Sequence, residues 1–390
     1  MNAPVVRALI DAGAIVLGKT NMHELAFGIT SDNAAFGSVR NPYNPLTFAG
    51  GSSGGTASAV AARMAPAGLG TDTGGSARIP PSLNGLVGFR PTVGCYSQRG
   101  ITLISTPRDT AGPIARSVAD VVLLDGVIAG GETTLKAADL NSLRLGVPRD
   151  YFYDNLDPGT KAQIDAALVK LEELGVVLVE ADLPGIGALN QKIGFPIAIY
   201  EVLRALPEYL EGTRPQVAFD SLVEQIASPD VRFVLGQLAL GEDGKIGTAD
   251  DAISDAVYQE ALNVHRPALQ ALYRDYFAQY QVDAILFPTT VLPARVIAGS
   301  TSNVVLNGEM VPTFGTYIQN TDPGSNAGIP GLTLPIGLTP EGLPVGLELD
   351  GPVGSDRRLL AIGLAMEAVF DPTPAPVLAP GRHPAKKGKH

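Results

Sequence analysis

Apolar residues fall into two patterns along this 390-residue chain: short unbroken runs, and longer stretches spaced three and four apart. Val5 to Ala12 carries the helical spacing and stops at Gly13. It predicts a short amphipathic helix, and the apolar run Ala14-Ile-Val-Leu17 predicts a small buried strand after it. Thr56 to Ala65 predicts a helix of small residues that packs closely, and Ile114 to Ala129 again shows helical spacing. The clearest helix opens at Asp157-Pro158: Asp157 can cap it, Pro158 suits its first turn, and Ile164, Leu168, Leu171 and Leu174 form one stripe before Gly175 stops it. Val176–Val179 and Ala284–Phe287 read as buried strands, and Leu332–Ile336 and Val345–Leu349 as two further short ones. Arg357 to Phe370 reads as a closing helix. Residues 19–55 and 318–331 read as loops, and about 190–280 as a mostly helical insertion beside the core. No internal repeat and no linker interrupts the chain. Strands alternating with helices predict an α/β sandwich with helices on both faces.

Composition narrows the class. Hydrophobic residues make up 45% and charged ones 17%, which excludes a disordered chain. The 28 basic and 39 acidic side chains give a net charge of −11, which argues against nucleic acid as a partner because phosphate binding needs a basic face. The single cysteine, Cys95, permits neither an intramolecular disulfide nor a CxxC metal pair, which suits a reducing cytoplasm. No run of about 18 apolar residues predicts a membrane span. Arg7 and Asp11 interrupt the apolar start, so it makes a poor signal peptide. Glycine and proline are numerous, at 45 and 31, and the glycines gather where the chemistry lies.

Between residues 48 and 92 two serines sit in separate glycine-rich segments, Ser52 in GGSSGG and Ser76 in TDTGGSAR. Glycine runs let several backbone N–H groups converge on one point, since no Cβ blocks the approach. A nest of this kind beside a hydroxyl suits acyl transfer: the hydroxyl attacks a carbonyl while the N–H groups of Thr73, Gly74, Gly75 and Ser76 hold the developing oxyanion. A phosphate loop is the competing reading, but neither GxxxxGK[ST] nor GxGxxG occurs in strand–helix context. Gly51-Ser52-Ser53-Gly54-Gly55 also fits a GxSxG elbow, yet no buried strand precedes it.

GGSSGG followed by GTDTGGSAR and GLVGFRPT resembles the amidase signature family, whose members hydrolyse amides with a Ser–cis-Ser–Lys triad. The resemblance runs from GAIVLGKTNMHELAFG to NTDPGSNAGIPGLTLP and GLPVGLELDG, and it is strongest toward mandelamide and indoleacetamide hydrolases. It implies a single domain over 1–390, a three-layer α/β/α sandwich around a mixed twisted sheet with the helical insertion near 190–280, and a frayed tail over 380–390. Ser76 matches the nucleophile, and Ser52 the bridging serine after a cis peptide bond. Phe27 falls where the family builds its acyl pocket, and Thr73, Gly74 and Gly75 remain the oxyanion donors read from the glycine run. The implied reaction is hydrolysis of a small, aryl-substituted carboxamide to acid and ammonia through an acyl-enzyme. It uses no cofactor or metal, and its partners are the amide substrate and a second copy of the chain in a homodimer. Tyr43, Phe48 and Tyr317 are weaker pocket candidates.

The family lysine belongs to a Val-Lys-Asp-Asn type motif ahead of the Gly-Lys-Thr-Asn strand, and no such motif occurs here. The sequence therefore reads either as starting at an internal methionine of a longer protein, the favoured account, or as a real truncation that keeps the nucleophile and oxyanion loop without the base, and as a poor catalyst as written. Lys19 is the nearest substitute, while Lys136, Lys161, Lys170, Lys192 and Lys245 match no catalytic lysine. Two alternatives stay open: an inactive homologue acting as a binding or assembly subunit, and the glutaminase subunit of a transamidation complex. His23 reads as structural and His265 as packing or surface, Asp72 and Arg78 as loop supports, and Glu242–Asp251 as a solvated turn with a faint calcium-loop flavour.

Overall fold

The computed structural model describes residues 2–240 and 252–378. The expected frayed tail over 380–390, Lys245 and the Glu242–Asp251 turn lie outside the described residues. The central sheet has eight strands: β1 (Ala67–Asp72), β2 (Val87–Arg90), β3 (Thr110–Ala115), β4 (Arg144–Val147), β5 (Val177–Glu180), β6 (Ala284–Pro288), β7 (Gly331–Leu338) and β8 (Pro344–Asp350). Their order is β1-β3-β2-β7-β8-β6-β4-β5. Neighbours from β1 to β6 pair antiparallel, while β6/β4 and β4/β5 pair parallel, so the sheet is mixed.

Alternation along each strand separates the two outer layers. On β6, Ala284 and Leu286 join a core with Ile164, Leu168 and Leu171 of helix Pro158–Glu173 and with Leu359, Leu360 and Met366 of helix Asp356–Glu367. Ile285 and Phe287 point the other way, against Leu269, Tyr273 and Tyr276 of helix Arg266–Tyr280. Burying such a side chain is worth about 1.5–3 kcal/mol, so both faces of the sheet are covered for the same reason. The Asp157 carboxylate caps its helix through the Gly159 and Thr160 N–H groups. Residues 186–280 contribute further helices, including Gly194–Thr213 and Pro229–Arg232. No helix among the described residues is long and apolar enough to cross a membrane.

Four elements differ from the sequence reading. Ala14–Leu17 forms no strand: Ile15, Val16 and Leu17 are 84%, 60% and 72% exposed, because no described strand lies beside them to pair their backbone groups. β5 is half-exposed rather than buried, since it is the last strand of the sheet. Ile114 and Ala115 end a strand, and the helix after it starts only at Val118, capped by Ser117. Within the presumed loop 318–331, Asp322–Ala327 is a buried helix with Pro323 in its first turn and Gly328 closing it.

Candidate active site

β1 is the element that delivers Ser76. The glycine-rich stretch Gly68–Gly75 is strand up to Asp72, and only the remainder turns back into the short helix Ile79–Leu83. Asp72 holds this turn from inside: its Oδ2 accepts from the Ala77 N–H at 3.0 Å and from Arg78 Nε at 3.1 Å. Arg78 and Ile79 close on the Gly75 carbonyl at 2.8 and 2.7 Å, and Thr321 Oγ1 donates to the Gly74 carbonyl at 2.6 Å. Gly75 has φ +139°, a conformation other residues resist, and a Cβ there would strike Thr321. A Cβ on Gly74 would lie 2.6 Å from Ile318 Cδ1.

Among the described residues, the N–H groups of Thr73, Gly74, Gly75 and Ser76 donate to nothing. Four free donors in succession are an anion-binding arrangement. The Thr73 hydroxyl is turned away from them and donates to Asp109 Oδ1 at 2.6 Å. Burial pushes the Asp109 carboxyl up to about 6, against hydrogen bonds from Thr73, Ser105 and Ile104 that favour its charged form.

Ser76 is half-buried and borders a cavity of about 290 Å³. Thr73, Gly74 and Phe27 border it too; Gly75 and Ser52 do not. The apolar wall comes from Phe27, Ile104, Phe195, Ile199, Phe314 and Ile318. Tyr43, Phe48 and Tyr317 take no part: Phe48 and Tyr317 pack edge-to-face at 5.2 Å in the core, and Tyr43 donates to the Pro374 carbonyl.

The Gly51–Ser52 peptide bond is cis. Ser52 is fully buried, its carbonyl accepts from His23 N–H at 3.0 Å and Ser31 Oγ at 3.1 Å, and its own hydroxyl has no partner among the described residues. Lys19, Lys136, Lys161 and Lys192 are exposed, and no described lysine lines the cavity or bonds Ser52. A second cavity of about 480 Å³ lies beside Ser53 and Thr56 and shares Ala26, Phe27 and Ile104 with the first.

Two polar pairs in the Ser76 cavity escaped the sequence reading. Arg108 Nη2 donates to Asp322 Oδ1, and Arg108 Nη1 to the Gly194 carbonyl at 2.7 Å, directly behind Gly74. His23 is buried, with Nδ1 accepting from Ser31 N–H at 3.1 Å and Nε2 at 3.0 Å from Asp230 Oδ2. The Ser31 bond leaves the proton on Nε2, facing the carboxylate. His265 stays outside, 3.2 Å from Glu260. Arg108 and Asp322 do fall within the quoted runs SQRGITLISTPRDTAGP and NTDPGSNAG, but their meeting, 214 residues apart, needed the fold. No cluster of three or more His, Cys, Asp or Glu suited to a metal occurs among the described residues.

The chain is similar to known proteins in sequence and in shape. Over 367 residues the chain is 49% identical to the indoleacetamide hydrolase of Agrobacterium vitis, covering 94% of this chain and 76% of that one. Over 384 residues it is 44% identical to the mandelamide hydrolase of Pseudomonas putida, covering 96% and 73%. A crystal structure of an amidase superposes with a TM-score of 0.81 at 35% identity, covering 95% of this chain and 78% of the other. The Amidase family model matches residues 1–360, and the chain belongs to the amidase signature family of amide hydrolases.

Proposed function

We propose that this protein hydrolyses small, neutral, aryl-substituted carboxamides to the acid and ammonia through an acyl-enzyme on Ser76. The observation that carries the proposal is that Thr73, Gly74 and Ser76 of a turn whose N–H groups donate to nothing among the described residues border an aromatic-walled cavity of about 290 Å³. In this reading Ser76 Oγ attacks the amide carbon while its proton passes to Ser52. The carbonyl oxygen takes the negative charge and is held by the N–H groups of Thr73, Gly74, Gly75 and Ser76. The C–N bond then breaks, the relay returns a proton to the leaving nitrogen, and ammonia departs. Water attacks the ester by the same relay and releases the acid. Phe27, Phe195 and Phe314 receive the aryl group; Phe195 and Phe314 stand 44% and 52% exposed, which leaves ring surface free to stack on it.

The relatives named for indoleacetamide and mandelamide support an arylacetamide. Glutamine fits less well: Arg108, the cation in the cavity wall, is already paired with Asp322, so an α-carboxylate would enter an apolar space without a free counter-charge. The relay also needs a terminal base. A neutral primary amine beside Ser52 would serve, and none of the described lysines stands there. The test is ammonia release from indole-3-acetamide, phenylacetamide and glutamine by the protein and by Ser76→Ala. The two aryl amides are expected to exceed glutamine by at least 10²-fold in kcat/KM, with Ser76→Ala inert. Release from glutamine alone would favour the transamidation reading, and release from none an inactive subunit.

A further inference from the structure

Behind the Ser76 turn five charged side chains are wholly buried: Asp72 at the end of β1, Arg78 after the turn, Arg90 on β2, and Glu348 and Asp350 on β8. Glu348 and Asp350 are two residues apart on one strand and so share a face. Arg78 is the hub. Its Nε and Nη2 donate to Asp72 at 3.1 Å each, its Nη1 donates to Glu348, and its Nη2 also reaches the Thr321 carbonyl at 3.0 Å and Ser325 Oγ at 2.6 Å. Asp350 Oδ1 lies 3.9 Å from the same Nη1. Arg90 Nη1 joins from the other side, 2.8 Å from Asp72 Oδ1.

Three carboxyl groups against two guanidiniums leave one negative charge unbalanced, away from water. Both oxygens of Asp350 and Oε2 of Glu348 find no donor among the described residues. The Glu348 and Asp350 carboxyls converge on the same Arg78 Nη1, and two full charges so placed away from water repel where a carboxyl–carboxylate pair does not. Helix Arg266–Tyr280 brings the buried Tyr273, whose hydroxyl has no partner among the described residues, and Arg108 adjoins Arg90, its carbonyl accepting from Arg90 Nη2 at 2.6 Å. Burial is the leading cause that pushes Asp350 up to about 7 and Glu348 well above the usual carboxylate range.

We propose that Glu348 and Asp350 hold one proton between them, and that this singly protonated pair is a positioning device which keeps Arg78 locked across Asp72, Thr321 and Ser325 and so fixes the turn carrying Ser76. The inference rests on the reading of Ser76 as nucleophile only in its catalytic half. Removing the proton gives two like charges beside the same Arg78 Nη1, which weakens the brace on Arg78.

The test compares the protein with Asp350→Asn, whose amide is a neutral near-isostere of the protonated acid. It follows kcat and KM for phenylacetamide and the thermal midpoint from pH 6 to 9. In the parent protein, kcat and the midpoint are expected to fall together as pH rises through about 7, with KM moving less than twofold. In Asp350→Asn the midpoint should lose about one proton's worth of this pH dependence, and kcat should lose its fall. Glu348→Gln/Asp350→Asn, which leaves two guanidiniums against one carboxylate, should cut kcat at least tenfold at pH 6. An unchanged midpoint slope in Asp350→Asn overturns the shared proton. A lost slope with an unchanged kcat profile overturns the positioning role. If phenylacetamide is not hydrolysed at all, the functional reading fails, and the midpoint slopes still decide whether the pair holds a proton.

Discussion

At Ser76 the backbone is held on both sides, by Thr321 Oγ1 on the Gly74 carbonyl and by the Arg78 and Ile79 N–H groups on the Gly75 carbonyl. The hydroxyl itself has only to point into the cavity, so Ser76→Ala should fold with an unchanged thermal midpoint while ammonia release falls at least 10³-fold. Ser52 is the converse case: its buried hydroxyl has no partner among the described residues, and in the proposed relay it carries the proton. Ser52→Ala should therefore lower kcat about 10²–10⁴-fold, with KM moving much less. Phe27→Ala removes an aromatic wall, and the loss of roughly 1.5–3 kcal/mol of burial predicts a 10–100-fold drop in kcat/KM for aryl amides. For acetamide, which does not fill that wall, the drop should be under threefold.

The element that decides the site is the turn after β1. Gly74→Ala would set a methyl 2.6 Å from Ile318 Cδ1 and 2.9 Å from Asp322 Oδ1. The N–H groups of the loop would have to shift, and kcat should fall about 10²–10³-fold, the usual effect of losing an oxyanion donor. This segment also marks how far the sequence could be read. GGSSGG and TDTGGSAR announce the two serines because their chemistry is local and rests on glycine runs visible in one window. The strand character of 67–72 was hidden by those same glycines. Helix Asp322–Ala327 was hidden by Pro323 and Gly324, which look like loop residues until Pro323 is seen at a helix start. Ile15–Leu17 failed in the opposite sense: the β-branched Ile15 and Val16 state a preference for a strand, but pairing depends on a neighbour. The Arg108–Asp322 and His23–Asp230 contacts join residues more than 200 positions apart, and no periodicity reports such a meeting.

Across the whole molecule the buried carboxyls set the response to pH. Asp109 at about 6 and Asp350 at about 7 both stand above the usual carboxylate value of 3.8, chiefly through burial, so the folded state binds their protons more tightly than the unfolded chain. Stability from these groups is present at low pH and lost as pH rises through 6 and 7. Asp72 is the opposite case: Arg78 and Arg90 outweigh its burial and hold its carboxyl far below the usual range, so its contribution disappears only in strong acid. The thermal midpoint is accordingly expected to be roughly 2–5 °C higher at pH 5 than at pH 8, as read by calorimetry.

The proposed proton relay needs a terminal base. If the relay from Ser76 through Ser52 ends in a neutral amine, millimolar n-butylamine at pH 9–10 should raise the rate of ammonia release several-fold in the parent protein and not in Ser52→Ala. The most direct measurement of the central claim traps the intermediate itself. With indole-3-acetamide and hydroxylamine, an acyl group on Ser76 partitions between water and hydroxylamine, and indole-3-acetohydroxamate should accumulate with the parent protein and be absent with Ser76→Ala. Ammonia release with no hydroxamate, or equal hydroxamate from Ser76→Ala, would contradict it.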